Sequence, residues 1–189
     1  MTPIEILMEE HQLILSVLDS LEEAASRLDG GDDIRPEFFL DAAEFVSGFA
    51  DKCHHAKEED ILFVAMTERD MPQDTGPVAV MLAEHEEGRQ YTAAFRSAAE
   101  QMQEGDATAA ADVVRNVFDY VNLLREHIMK EDNILYPMAE QIIPLEAMSR
   151  VSDDFQRVIA ADRNNDIPEK YQALAARLGR YLEEEPSAA

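Results

Sequence analysis

Cysteine is nearly absent from this chain: Cys53 is the only one, so no disulfide can close within it, and it does not read as a disulfide-held scaffold. Basic residues are also scarce, with 16 Lys and Arg against 40 Asp and Glu and a formal net charge of −24. Such a surface is repelled by nucleic acid and by anionic lipid, so neither is expected as a partner. No segment approaches the roughly 18 consecutive apolar residues of a membrane-spanning helix. The N-terminus, Met-Thr-Pro-Ile-Glu-Ile-Leu-Met-Glu-Glu, lacks both a basic start and a long apolar run, so no signal peptide is expected. With the single cysteine, this suits the cytoplasm. Neither a phosphate-binding loop nor a nucleophile triad is found.

What is present is apolar and helix-forming. Apolar residues make up 46% of the 189 positions and only 7 are glycine, which favours one helical domain with a sizeable core. Steps of three and four link Ile4, Leu7, His11, Ile14, Leu18, Leu21, Ala25 and Leu28, a single buried stripe that Gly30-Gly31-Asp32-Asp33 ends. Pro36 opens a second helix with stripe Ala43, Ser47, Ala50, His54, Glu58, Ile61 and Ala65, ending before Met71-Pro72. The third starts near Asp74-Thr75-Gly76-Pro77, runs through Val78, Leu82, His85, Gly88/Arg89, Thr92, Phe95, Ala99 and Met102, and breaks at Gly105-Asp106. The fourth carries Val113, Val117, Tyr120, Leu124, His127, Glu131, Ile134 and Met138, with Pro137 placed to kink its end.

Short connections between long helices predict antiparallel neighbours. The expected fold is all-α: an up-down-up-down four-helix bundle over residues 1–143, with one or two additional C-terminal helices in an extension over 144–189. These would cover Leu145 to Ala161 and Pro168 to Glu184, packed on the bundle or in an oligomer contact, and the tail Pro186-Ser187-Ala188-Ala189 is expected to fray.

The chain repeats itself. His54-His55-Ala56-Lys57-Glu58-Glu59-Asp60-Ile61-Leu62-Phe63 and His127-Ile128-Met129-Lys130-Glu131-Asp132-Asn133-Ile134-Leu135-Tyr136 share the core H-x-x-K-E-acid-x-I-L-aromatic. Residues four apart project from one helix face, so each copy aims an imidazole and a carboxylate at one point. Four of the five histidines, His11, His54, His85 and His127, fall on the buried stripes of four different helices. They lie early, late, early and late along antiparallel helices, hence at one end of the bundle. A lone histidine on an apolar stripe is ordinarily a hydrogen-bonded core residue. One on every helix, with two carboxylates on the same stripes, points to a shared dimetal centre, because buried charges are paired or bind metal.

His55 and Glu59 form a competing pair. Their stripe runs through Gly48, Asp51 and Lys52, a wet face, so His55 is assigned a supporting or surface role. Mixed imidazole and carboxylate ligation suits iron, manganese or zinc. Open positions on a redox metal point to small-molecule chemistry with O2, NO or peroxide, whereas a structural zinc site is closed.

With His11, His54-x-x-x-Glu58, His85 and His127-x-x-x-Glu131 in place, the chain resembles the hemerythrin family in its HHE cation-binding form, over about residues 4 to 140. The stretch from Glu169 to Leu174 looks like the tail of single-domain members. The resemblance implies a four-helix bundle around two non-haem iron ions, iron ahead of manganese or zinc. His11, His54, His85 and His127 would be terminal ligands, and Glu58 and Glu131 would bridge. Oxygen-carrying members place two histidines one turn apart on the third helix. Here the position four after His85 is Arg89, which removes the fifth imidazole and argues against reversible oxygen carriage.

Among the remaining candidates, Glu87 reads as surface charge and Glu84 as surface charge, channel mouth or support behind a ligand. Cys53 reads as a small buried residue, Gly88 as a close helix approach and Tyr120 as core. Tyr91 and Tyr136 are placed to donate hydrogen bonds behind the ligands. The leading expectation is a cytoplasmic di-iron protein, monomer or homodimer, that binds or reduces O2, NO or peroxide or handles iron under stress, with an electron donor the sequence does not name. The alternative is reversible O2 or NO binding or sensing without turnover. Iron storage would need E-x-x-H ferroxidase patterns that the chain lacks, and a purely structural metal would leave no open position.

Overall fold

Thr2 starts the first helix with a reciprocal cap. Its hydroxyl accepts from the Glu5 N–H at 3.1 Å, and the Glu5 carboxylate accepts from the Thr2 N–H at 2.8 Å, so two otherwise orphaned donors are satisfied. Helix α1 follows as Pro3–Asp29 in this computed structural model, which describes residues 1–184. The tail at 186–189, expected above to fray, lies outside the described residues. Gly31, at φ 93°, turns the chain out of α1 in a conformation that costs other residues dearly.

Helix α2 spans residues 36–67, α3 is Gly76–Gln103, and α4 spans residues 110–142 after a short turn at Ala107–Ala109. Helices α5 (Leu145–Asn164) and α6 (Ile167–Glu184) complete the described chain, which is all-helical with no strand among the described residues. No helix among them is long and apolar enough to cross a membrane.

Two of the long helices depart from plain α geometry. In α2 the turns widen to π spacing over Val46–His55 and Glu58–Leu62, and in α4 over Glu131–Leu135. Glu58 and Glu131 each begin such a turn, so both copies of the repeat share it. Pro137 is not its cause, since the first copy has Val64 at the matching place. Widened turns concentrate at functional sites, where they re-aim side chains.

The core comes in two apolar halves. One gathers Ile4 and Leu7 of α1, Leu62 and Phe63 of α2, Val78 and Met81 of α3, and Leu135 and Tyr136 of α4. The other gathers Ile14 and Leu18 of α1, Ala50 and Cys53 of α2, Phe95 of α3, and Leu124 and Ile128 of α4. The first half takes the early turns of α1 and α3 and the late turns of α2 and α4, which is the antiparallel up-down-up-down order expected from the sequence. Each of α1 to α4 passes from one half to the other through polar residues: His11, His54 to Glu58, His85, and His127 to Glu131.

Helix α5 adds Val151 and Phe155 to the first half, and α6 adds Tyr171, Leu174, Leu178 and Leu182 to the second. α6 comes close because α2 has no side chain at Gly48: the Tyr171 hydroxyl occupies the space a Cβ would need.

Candidate metal centre

Between the two apolar halves lies a layer of buried titratable groups. His11, His54, Glu58, His85, His127 and Glu131, singled out from the sequence, are all brought together there, each at most 1% exposed. Side chains converge in two sets, His11, His54, Glu58 and Glu131 in one and His55, Glu58, His85 and His127 in the other. Within each set one ligand atom per residue lies within 4.8 Å of the others. Glu58 belongs to both sets. Glu131 also reaches both, with Oε2 3.2 Å from His11 Nε2 and Oε1 3.1 Å from His127 Nε2.

Each of the four stripe imidazoles is held from behind by a carboxylate on Nδ1. His11 pairs with Asp132 at 2.8 Å, His54 with Glu10 at 2.9 Å, His85 with Glu59 at 2.7 Å and His127 with Glu84 at 2.9 Å. An Nδ1–H donated to a carboxylate leaves the Nε2 lone pair facing inward, the arrangement that orients histidines on metals and raises their basicity.

This outer ring explains the rest of the repeat. The acid after each stripe glutamate, Glu59 or Asp132, reaches a histidine on another helix. The lysine before it, Lys57 or Lys130, grips the glutamate that precedes the other helices' histidines, Lys57 on Glu10 at 2.8 Å and Lys130 on Glu84. The aromatic lies along a histidine, Phe63 on His85 and Tyr136 on His11. The two halves of the site are thus related by an approximate twofold. Tyr136 breaks it by donating its hydroxyl to Glu58 Oε1 at 2.6 Å, where Phe63 has nothing to donate.

Several buried polar atoms have no hydrogen-bond partner among the described residues: Glu58 Oε2, both Glu131 oxygens, His54 Nε2 and His55 Nδ1. His11 and His127 approach Glu131 closely enough to pair by charge, but not in line for a hydrogen bond. His85 Nε2 and His127 Nε2 face each other at 3.0 Å, which two lone pairs tolerate only with a cation or a proton between them.

With only protons to share, burial and the neighbouring charge of Glu131 push Glu58 well above the usual carboxylate range. Burial would raise Glu131 too, but His127 and His11 outweigh it and hold its carboxyl low. Burial works against a charge on His127, yet Glu131 and Glu84 raise it to about 9, so its ring supplies the proton that His85 accepts. Burial holds His54 and His85 below the ordinary histidine range. Unpartnered buried carboxylate oxygens facing inward lone pairs are what a cation would satisfy.

The expectation that His55 lies on a wet face is corrected. It is only 6% exposed, and its ring stacks on His85 with centroids 3.8 Å apart. An α-helix separates neighbouring side chains by about 100°. The widened turns through His55 narrow that angle, so His54 and His55 both face inward. A fifth imidazole therefore does join the cluster, from α2 rather than α3.

Arg89 stands outside it, donating to Asp51 at 2.8 Å and to Glu59 at 2.7 Å, and so steadies the carboxylate behind His85. Glu84 takes the supporting place behind a ligand, and that ligand is His127. Glu87 is exposed and accepts from Tyr91, so that tyrosine is not behind a ligand, whereas Tyr136 is. Cys53 is buried, its thiol pushed up to about 11 chiefly by burial, as fits a small core residue. Glu59, read from the sequence as the partner of His55, instead stands behind His85, while Glu10, Asp132 and the lysines were not singled out, although the Lys and the acid shared by both copies of the repeat carried the signal.

Comparisons with known proteins place the chain by sequence. The chain is 30% identical over 88 residues to the iron–sulfur cluster repair protein YtfE of Salmonella paratyphi B, Salmonella newport and Salmonella heidelberg, a match covering 46% of this chain and 40% of each relative. The match thus spans less than half the length of those relatives. No solved structure matches the chain. The hemerythrin HHE cation binding domain model matches residues 2–139, which take in every residue of the buried layer, and the chain belongs to that family.

Proposed function

We propose that this is a non-haem di-iron protein whose centre takes up a small molecule, O2, NO or peroxide, and that it serves iron handling or defence against oxidative and nitrosative stress in the cytoplasm. His11 and His54 would hold one ion and His55, His85 and His127 the other, with Glu58 and Glu131 shared. The observation that carries the reading is the set of unpartnered, fully buried oxygens of Glu58 and Glu131 facing Nε2 atoms whose rings are fixed through Nδ1. Iron bound there supplies electrons and an open position for a small ligand.

The chain's own part is to set that stage. The four outer carboxylates hold the imidazoles through Nδ1, raise their basicity and aim Nε2 inward. Tyr136 fixes Glu58 through one oxygen and leaves the other inward. Packing between the two apolar halves leaves His11, His54, Glu58, His85, His127 and Glu131 at most 1% exposed. The Salmonella relatives are named for repair of iron–sulfur clusters, which supports an iron-related role here.

The test is anaerobic reconstitution with ferrous iron, a count of iron per chain, and absorption spectra after O2 and, separately, after NO. Two irons that oxidise irreversibly, or that consume NO or peroxide, are expected. A stable, reversible oxygen band would instead make the protein a carrier or sensor. Failure to bind iron would remove the reading.

A further inference from the structure

A cavity of about 240 Å³ opens beside His55 and His85, reaching between α2, α3 and α4. It is smaller than the pockets of roughly 300 Å³ and above that hold drug-sized ligands. Its floor is formed by His55 and His85 of the second ligand set, and its walls include Gly88, Arg89, Arg96 and Tyr120. The Tyr120 ring packs beside Gly88, one turn beyond His85. Tyr120 is 1% exposed, and its hydroxyl has no partner among the described residues. Native proteins rarely leave such a group unmatched, because burying it unpaired costs about 1–3 kcal/mol.

The other polar groups of the cavity decide what Tyr120 awaits. The acceptors are committed: Asp51 to Arg89, and Glu84 to His127 and Lys130. Thr92 spends its hydroxyl on the Gly88 carbonyl at 2.8 Å. The spare capacity is in donors. Tyr120 has no hydrogen-bond partner among the described residues, nor has His55 Nδ1, which carries the ring proton when Nε2 holds a metal, and Arg96 makes a single bond, to Ser47 at 3.1 Å, with no ion pair among the described residues. A cavity whose acceptors are used and whose donors are spare suits a ligand rich in lone pairs.

We propose that this cavity is the seat of a compact, hydrogen-bond-accepting small anion next to the metal position at His55 and His85, and that the Tyr120 hydroxyl donates to it. The inference rests on the reading of the centre as a metal site. Burial raises the Tyr120 phenol far above its ordinary range, so it acts as a neutral donor.

The experiment compares wild type with Tyr120→Phe and Gly88→Leu. The metal-free proteins are melted first, then loaded with iron, counted, oxidised in air and titrated with azide by visible absorption. A Cβ at Gly88 would sit 3.6 Å from Tyr120, an ordinary contact, and Gly88 lines the cavity, so the larger leucine side chain is placed to occupy that space, with the melting temperature reporting any strain. All three should hold equal iron. Tyr120→Phe should melt no lower than wild type, because its hydroxyl has no protein partner to lose, and should bind azide about tenfold more weakly. Gly88→Leu should lose azide binding. Equal azide affinity in wild type and Tyr120→Phe, or a lower melting temperature in Tyr120→Phe, would overturn the role of Tyr120, and undiminished azide binding by Gly88→Leu would overturn the cavity. If wild type holds no iron, the metal reading itself fails, which the iron count shows before any azide is added.

Discussion

The His55 ring lies nearly parallel to the His85 ring, 12° between planes and 3.8 Å between centroids, although the two come from different helices. This stacking puts a fifth imidazole beside the pair formed by His85 and His127, where the third helix offers only Arg89. Replacing His55 by Leu keeps the volume but removes a nitrogen ligand. His55→Leu is expected to weaken one of two iron sites and leave the other, read as two unequal phases when iron is withdrawn by a chelator. Two equal sites would reduce His55 to packing.

Glu84 joins His127 to Lys130, and Glu10 joins His54 to Lys57 in the same way. Loss of such outer partners ordinarily costs about 10–100-fold in metal affinity. Glu84→Ala and Glu10→Ala should each fall in that range by chelator competition. The approximate twofold predicts similar losses for the two, so an effect confined to one would show that the halves of the site are not equivalent.

Tyr136 gives Glu58 its one hydrogen bond among the described residues, at 2.6 Å. Tyr136→Phe strands that carboxyl in the core, and a destabilisation of the metal-free protein by about 1–3 kcal/mol is expected from denaturant unfolding. No loss would mean that the bond is not formed in solution.

The pH dependence follows from His127, raised to about 9 from an ordinary 6.5, with Glu58 raised in the same sense. A raised folded pKa stabilises fully below the unfolded value and is lost as pH climbs through the folded value. The metal-free protein should therefore melt at progressively lower temperature from about pH 6.5 to 9. Iron binding must displace these protons, so uptake should acidify a weakly buffered solution and strengthen over the same window. A melting temperature that rises across it would contradict the assignment.

Gly48 admits the Tyr171 hydroxyl where any side chain would collide. Gly48→Ala should push α6 away and cost about 1–3 kcal/mol, the usual range for overpacking, while leaving iron content unchanged. Unaltered stability would mean that α6 does not hold this contact.

Much of this was legible because it depends on period and spacing. The stripe through Ile4, Leu7, His11 and Ile14 fixed both the helix and its buried face, and the alternation of early and late histidines fixed their common level. The outer ring was harder to read. Asp132 meets His11 across 121 positions of sequence, and Glu10 meets His54 across 44, so neither partner is visible from local pattern. His55 was misplaced for a different reason: a stripe drawn at α-helical period does not foresee the widened turns that bring it inward. The position of α6 turned on a packing detail, the missing Cβ of Gly48, that no periodicity reveals.

The central claim is that Glu58 and Glu131 sit between two metal ions. Iron per chain, measured after anaerobic loading and removal of loose metal, tests it most directly in wild type and in the double variant Glu58→Gln/Glu131→Gln. Two irons are expected for wild type and fewer than two for the variant, with its helical content retained. Two irons in the variant would contradict the claim.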